Sequence, residues 1–261
     1  MKNMLQILRR YFGYNQFRPG QEDIIKNILS GRDTFGIMPT GAGKSLCFQV
    51  PAIAMDGITL VVSPLISLMK DQVAALIQNG VRGAYLNSSL TPRQYFKALE
   101  NAKNGVYKII YVAPERLQTE SFMDFAMNAD ISMVTVDEAH CVSQWGQDFR
   151  PGYLLISGFI NSLPKRPIVS AFTATATSKV KEDVINLLEL YNPFVHISGY
   201  DRENLYFEVQ KPKDKMAAVF KILSKMRGKS GIIYCSTRKN VEEVCEKLCA
   251  RNFMAARYHA G

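Results

Sequence analysis

Phe35-Gly36-Ile37-Met38-Pro39-Thr40-Gly41-Ala42-Gly43-Lys44-Ser45-Leu46-Cys47-Phe48 joins three signals in one short stretch. The apolar run Phe35–Met38 reads as a buried strand, and Leu46-Cys47-Phe48 opens a helix. Between them lies a glycine-rich turn whose consecutive backbone N–H groups can wrap a phosphate, with the positive end of the helix behind it. Lys44 would reach the outer phosphates of a nucleotide, and the Ser45 hydroxyl would ligate Mg2+. Thr40, Gly41, Ala42 and Gly43 complete the cradle. The general pattern has glycine where this chain has Met38.

Further along, other short apolar runs each end in a polar turn: Ile58–Val62, Lys108–Val112, Met133–Val136 and Ile168–Phe172. Helical patterns alternate with them. The expected fold is therefore α/β, a parallel sheet covered by helices on both faces. Val134-Thr135-Val136-Asp137-Glu138-Ala139-His140 places two acids at the end of one of these strands, where open α/β sheets bind ligands. Asp137 can hold Mg2+ and Glu138 can orient and polarise an attacking water, because phosphoryl transfer is mostly positioning. A strand ending in two acids is a weak signal alone, since helix caps look similar. Its position roughly ninety residues after the glycine-rich turn strengthens it.

The chain has 261 residues, 47% hydrophobic and 21% charged, which allows a substantial core and excludes a disordered segment. No apolar run is long enough to span a membrane, and the N-terminus lacks the apolar stretch and cleavage site of a leader. Cysteines 47, 141, 235, 245 and 249 are odd in number and scattered, which suits a reducing cytoplasm, or the nucleoid of a bacterium. Cys245 and Cys249 share one face of an expected helix. No second pair completes four ligands, so they read as small residues on a packed face and no zinc is assigned. The net charge is +9. Residues 1–200 hold 19 basic and 16 acidic side chains, and residues 201–261 hold 13 and 7. Such a surplus fits a polyanion partner, and equally a solvated lysine-rich face.

A polar, turn-prone break falls near Ser198–Leu205, dividing residues 1–200 from 201–261. After it come three expected strands, Leu205–Val209, Gly231–Cys235 and Ala255–Tyr258, and two expected helices, Lys213–Met226 and Lys239–Arg251. This second unit is short for a domain and reads as cut off at Gly261.

The glycine-rich turn and the Asp-Glu-Ala-His box together resemble superfamily-two helicases, and further stretches resemble the RecQ helicases among them. Phe12-Gly13-Tyr14 with Phe17-Arg18-Pro19-Gly20-Gln21 is similar to the family's segment upstream of the phosphate loop. The resemblance puts Arg18 and Gln21 at the nucleotide, with the Gln21 amide on the adenine edge. Ser63-Pro64-Leu65-Ile66-Ser67-Leu68-Met69-Lys70-Asp71-Gln72 and Ala113-Pro114-Glu115-Arg116-Leu117 resemble strand-gripping motifs, which implies DNA contacts from Ser63, Lys70, Gln72 and Arg116. Phe172–Thr177 resembles the motif that couples hydrolysis to movement, implicating Thr173 and Thr175. Ser143–Tyr153 resembles the aromatic-rich loop that senses DNA. There Trp145 and Phe149 offer faces for bases, Arg150 offers a cation, and Gln147 stands where the family usually has His. Gly152 and Glu203 replace the family's usual acid and proline. A single Trp often belongs to a core, but polar and glycine neighbours favour an exposed loop here.

The resemblance covers essentially the whole chain. It implies a RecA-like first lobe followed by a truncated second RecA-like lobe, beginning with Gly231–Arg238 and Tyr258–Gly261. It also implies ATP and Mg2+ as cofactors, single-stranded or tailed duplex DNA as partner, 3′–5′ movement, and a place in DNA repair and recombination. The family's arginine finger would lie beyond residue 261, so these residues are expected to bind ATP and DNA while hydrolysing and unwinding poorly. An RNA helicase motor and a non-catalytic nucleic-acid-binding module are the alternatives.

Overall fold

The computed structural model describes residues 4–199, 205–226 and 228–259. They divide into two compact units, Met1–Asp201 and Arg202–Gly261.

In the first unit the apolar runs are strands because neighbours on both sides satisfy their backbone, and helices cover both faces. The strands are β1 (Thr34–Ile37), β2 (Ile58–Val62), β3 (Gly83–Leu86), β4 (Ile109–Val112), β5 (Ile131–Val136), β6 (Ile168–Thr173) and β7 (Phe194–Ile197). They form one sheet in the order β3-β4-β2-β5-β6-β1-β7. Every pairing is parallel. The helices between them are α1 (Met4–Phe12), α2 (Gln21–Leu29), α3 (Lys44–Ala54), α4 (Ile66–Gln78), α5 (Pro92–Lys103), α6 (Glu120–Asn128), α7 (Leu155–Ser162) and α8 (Ser178–Leu187).

Strand residues alternate between two cores, as the period of two requires. Phe35, Leu60, Ile110, Val134 and Val169 face the core built with α5, α6, α7 and α8. Val61, Tyr111, Met133 and Phe172 face the other, built with α1, α2, α3 and α4. Two strands, β3 and β7, escape a reading by apolar runs. Their sequences, Gly-Ala-Tyr-Leu and Phe-Val-His-Ile, are short and of mixed polarity, and they lie at the two edges of the sheet, where one side needs no partner.

In the second unit two helices form, α9 (Lys215–Lys225) and α10 (Arg238–Cys249). Asp214 caps α9 through the Ala217 N–H, and Thr237 caps α10 through the Asn240 N–H. The rings of Phe220 and Phe253 stack at 6.1 Å, with the Arg251 guanidinium 4.0 Å over Phe220. The expected strands Leu205–Val209, Gly231–Cys235 and Ala255–Tyr258 are not formed among the described residues. Tyr206 is 86% and Tyr234 91% exposed. β-forming side chains favour a strand only where a ladder and a covering layer receive them, and here they have neither. Cys245 is half-buried and Cys249 exposed, so the α10 face they share is only partly packed. Residues 201–204 of the resemblance's inter-lobe segment, and Ala260 and Gly261 of its last motif, lie outside the described residues.

Candidate active site

Because the strands are parallel, their C-terminal ends share one edge. The loops leaving that edge carry almost all the candidate residues, the usual ligand edge of such a sheet. β1 leads into the glycine-rich turn, β2 into Ser63-Pro64, β4 into Ala113–Arg116, β5 into Asp137-Glu138 and β6 into Thr173–Thr177.

Gly41 and Gly43 both take positive φ, 84° and 83°, and turn the chain sharply into α3. Met38 N–H joins the Thr173 carbonyl at 3.0 Å, so the loop starts in register with β6. The loop enters α3 at the helix's positive end, where the Leu46 N–H already meets the Gly43 carbonyl at 3.2 Å and the N–H groups before it are those suited to cradle an anion. Its carbonyls are held from below. Gln21 Nε2 donates to the Ala42 and Gly43 carbonyls at 3.2 and 3.0 Å, and Arg18 donates to the Gly41 carbonyl. Gln21 Oε1 accepts from Arg18 N–H at 2.9 Å, and the residue is only 1% exposed. The amide expected on an adenine edge is thus fully engaged in bracing the loop. Reading a base would require its release. Lys44 Nζ donates to the Met38 carbonyl at 3.2 Å, folded over the turn it is expected to serve.

Across the edge, Asp137 is tied in by its backbone: its N–H meets the Val62 carbonyl at 2.9 Å, and its carbonyl accepts from the Tyr153 hydroxyl at 2.8 Å. Burial, and then the Glu138 charge, push the Asp137 carboxyl up to about 6, against the opposing pull of the Glu138 N–H and of Lys44. A carboxylate kept in that setting gains by meeting a cation. The Ser45 hydroxyl and the Asp137 carboxylate are hard oxygen donors of the kind Mg2+ takes, on loops leaving the same sheet edge, and these two residues would hold it. Among the described residues no group of three or more His, Cys, Asp or Glu side chains could hold a metal by itself. Mg2+ would then take its remaining ligands from water and phosphate.

Glu138 adopts φ 48°, ψ 46°, a left-handed conformation that costs a non-glycine residue about 1–3 kcal/mol. Its Oε2 lies 3.4 Å from His140 Nδ1, which lies 2.9 Å from Thr173 Oγ1. The Thr173 hydroxyl donates to the Thr175 carbonyl at 3.0 Å. Its proton being so committed, it must accept from His140, whose Nδ1 therefore carries a hydrogen. A continuous chain thus joins the acid pair to the Thr173–Thr175 segment. His140 belonged to the box quoted from the sequence, but nothing in its spacing assigned it this contact.

The loop after the acids is exposed where the sequence expected bases to bind. Trp145 is 72% exposed, Gln147 is exposed and Phe149 half-buried. Arg150 is not a free cation: its Nε and Nη2 donate to Asp148 at 2.9 and 2.7 Å, and its Nη1 donates to the Pro64 carbonyl at 3.1 Å. Gly146 sits so close beneath the loop that an added Cβ would lie 2.3 Å from the His140 carbonyl oxygen. Gly146→Ala must therefore displace backbone. It is expected to destabilise the protein by about 1–3 kcal/mol and to shift the emission of Trp145, the chain's single Trp. Denaturant titration followed by that emission checks both, and an unchanged midpoint would remove the close-packing argument.

Of the strand-gripping candidates, Lys70 is exposed on α4, and Arg116 lies 4.9 Å over the Tyr95 ring. Two depart from expectation. Ser63 is fully buried, with its Oγ unpartnered among the described residues. Gln72 is half-buried and points inward, its Oε1 accepting from Gln49 Nε2 at 3.1 Å. Ser63 is buried just past β2, and Gln72 is engaged by Gln49 of α3 and Tyr111 of β4, so only their backbone or a rearranged side chain could meet a strand. Gly152 stands 3.4 Å, from where its Cβ would be, from Glu115 Oε1. An acid there would face a carboxylate.

Comparison with known proteins agrees with this fold. Residues 18–184 match the DEAD/DEAH box helicase family. The chain is 44% identical to the ATP-dependent DNA helicase RecQ of Pasteurella multocida over 98% of its own length and 40% of that protein's. It is 42% identical to the Bacillus subtilis protein of the same name, over 98% and 43%. It thus spans about two fifths of the curated relatives it matches. In fold it is similar to the DUF1998 helicase MrfA, with TM-score 0.71 and 16% identity over 95% of this chain and 40% of that one. It is also similar to a hypothetical ATP-dependent RNA helicase from Sulfolobus tokodaii, with TM-score 0.58 and 17% identity over 95% and 72%. The parallel sheet with its phosphate loop and acid pair on one edge, and the extent of these identities, place the chain in the DEAD/DEAH box helicase family and, within it, among the RecQ helicases.

Proposed function

We propose that residues 1–200 form the ATP-binding lobe of a DNA helicase motor, with residues 201–261 contributing the start of its second lobe. The motor moves 3′–5′ along single-stranded or tailed duplex DNA and serves repair and recombination. The observation that carries this reading is the run of contacts Glu138–His140–Thr173–Thr175, a 3.4 Å approach followed by two hydrogen bonds, which links the acids beside the glycine-rich loop to the segment expected to convert hydrolysis into movement.

Bound Mg·ATP would supply the phosphoryl group and neutralise charge. The remaining work belongs to this chain. The first turn of α3 binds the phosphates, Ser45 and Asp137 hold the cation, and Lys44 leaves the Met38 carbonyl for the outer phosphates. Glu138 orients the attacking water and takes its proton, with His140 fixing the carboxylate. The exposed Trp145, on the loop that follows the acids, offers a face for an unpaired base.

The test is ATP binding and hydrolysis, with and without single-stranded DNA, beside Lys44→Ala. Removing a charged hydrogen-bond donor worth about 1.5–3 kcal/mol is expected to weaken ATP binding roughly 10- to 100-fold. ATP bound equally well by both proteins would overturn the assignment of the loop. Competition between DNA and RNA strands of one sequence decides the polymer, and a preference for RNA would replace the DNA reading. A chain that binds strands without any response to ATP would be a binding module instead.

A further inference from the structure

One short hydrogen bond near the acid pair has no place in the mechanism above. Ser143, at the start of the exposed loop, is fully buried, and its Oγ donates to Asp183 Oδ2 at 2.7 Å. The same Oγ accepts from the Trp145 backbone N–H at 3.1 Å. A hydroxyl donating to a carboxylate at that length is a charge-assisted bond, about twice as strong as a neutral one. Asp183 lies on α8, one residue of a helix that begins at Ser178, capped by Thr177 through the Val180 N–H. The segment leading into that helix is Thr173–Thr177 itself. Lys179 also approaches Asp183, at 3.4 Å, but its side chain is 60% exposed and its contribution is screened by water.

The loop is otherwise anchored by backbone and by Arg150, with Gly146 resting on the His140 carbonyl. α8 also packs against Ala139 and Val142 through Val180 and Val184, but among the described residues the Ser143–Asp183 bond is the side-chain hydrogen bond that ties the tryptophan's own peptide to this helix. From this geometry we infer that Asp183 is a positioning residue: through Ser143 it holds the Trp145 loop to α8, so that movement of the Thr173–Thr177 segment carries the loop with it. The inference rests on the proposed motor reading, because only there does the loop's position matter to nucleotide.

The single tryptophan makes the test direct, since all indole emission comes from the loop. Steady-state anisotropy of Trp145 is measured in the 261-residue protein without ligand, and its emission is then followed on adding Mg·ADP and, separately, an oligothymidylate. Asp183→Ala is expected to lower the anisotropy and abolish the Mg·ADP-dependent shift, while the oligothymidylate response persists. Asp183→Asn, which keeps an acceptor oxygen for Ser143, is expected to restore both readouts. Lys179→Ala should leave both unchanged. Ser143→Ala should reproduce Asp183→Ala, with no further loss in the double variant. It also provides the test if Asp183→Ala does not fold. An Asp183→Ala or Ser143→Ala protein with parental anisotropy and a parental Mg·ADP shift overturns the inference. So does Asp183→Asn behaving like Asp183→Ala. If the parent protein itself answers neither ligand, the motor reading fails, and the coupling role falls with it. The ligand-free anisotropies would still report whether Asp183 holds the loop, so the two failures are distinguishable.

Discussion

Glu138→Gln is expected to leave ATP bound and to cut the slow single-turnover hydrolysis expected of these residues about 10²–10⁴-fold, the usual weight of a positioned general base. The substitution is cleaner here than in most sites. Glu138 sits at φ 48°, a conformation whose strain glutamine shares, so the exchange changes charge and not backbone cost. Its carboxylate is the second cause, after burial, of the raised Asp137 carboxyl. Removing it lowers the Asp137 pKa from about 6 toward the ordinary value, which leaves more carboxylate for Mg2+ at neutral pH. Binding of Mg·ATP should therefore be as tight as in the parent or tighter, and its advantage should grow as pH falls below about 6, where the parent's Asp137 becomes increasingly protonated. The checks are single-turnover hydrolysis and a nucleotide-binding isotherm at two pH values. Turnover that survives the substitution would remove Glu138 from the chemistry. Turnover and binding lost together would mean that the side chain holds the loop and not the water.

The sequence disclosed the parts of this site that depend on local chemistry. The glycine-rich turn, the acid pair, the five inner apolar strands and the exposed Trp145 all follow from residue type and short-range pattern, and all appear where expected. What it could not disclose are contacts between distant segments. Gln21 and Arg18 were legible as residues near the nucleotide, but not as braces on the Gly41, Ala42 and Gly43 carbonyls. Ser63 and Gln72 carry polar side chains in a stretch expected to grip a strand, yet Ser63 is buried past β2 and Gln72 turns in toward Gln49 of α3 and Tyr111 of β4. Asp183 stands 40 residues from the serine it accepts from, and no pattern within α8 distinguishes it from a solvated acid. The second unit erred in the opposite direction. Its apolar β-branched runs were locally sound, but strand formation depends on a neighbouring ladder, and a linear pattern cannot report one.

A similar long-range contact sets the largest expected loss of stability. Asp33 precedes β1 and is 3% exposed, and its two oxygens serve four donors. Oδ1 accepts from Val169 N–H at 2.9 Å and Arg166 Nη1 at 3.1 Å. Oδ2 accepts from Tyr191 N–H at 2.7 Å and Arg166 Nη2 at 2.6 Å. One carboxylate thus pins the entrance of β1 to β6 and to the turn before β7, and so fixes the strand that ends in the phosphate loop. Asp33→Ala strands two backbone donors and a guanidinium at once. Breaking a buried pair costs about 3–5 kcal/mol. Because the Arg166 side chain is 40% exposed, water can recover part of its share, which favours the lower end of that range. Asparagine should rescue little, even though it preserves size. Its amide nitrogen would put a donor against donors, at either the Val169 or the Tyr191 N–H, whichever way it turned. Urea denaturation of the parent, Asp33→Ala and Asp33→Asn distinguishes a charge-accepting hub from mere space-filling. Two variants equally and strongly destabilised fit the hub. An asparagine variant close to the parent would show that packing, and not the four donated hydrogens, holds the start of β1.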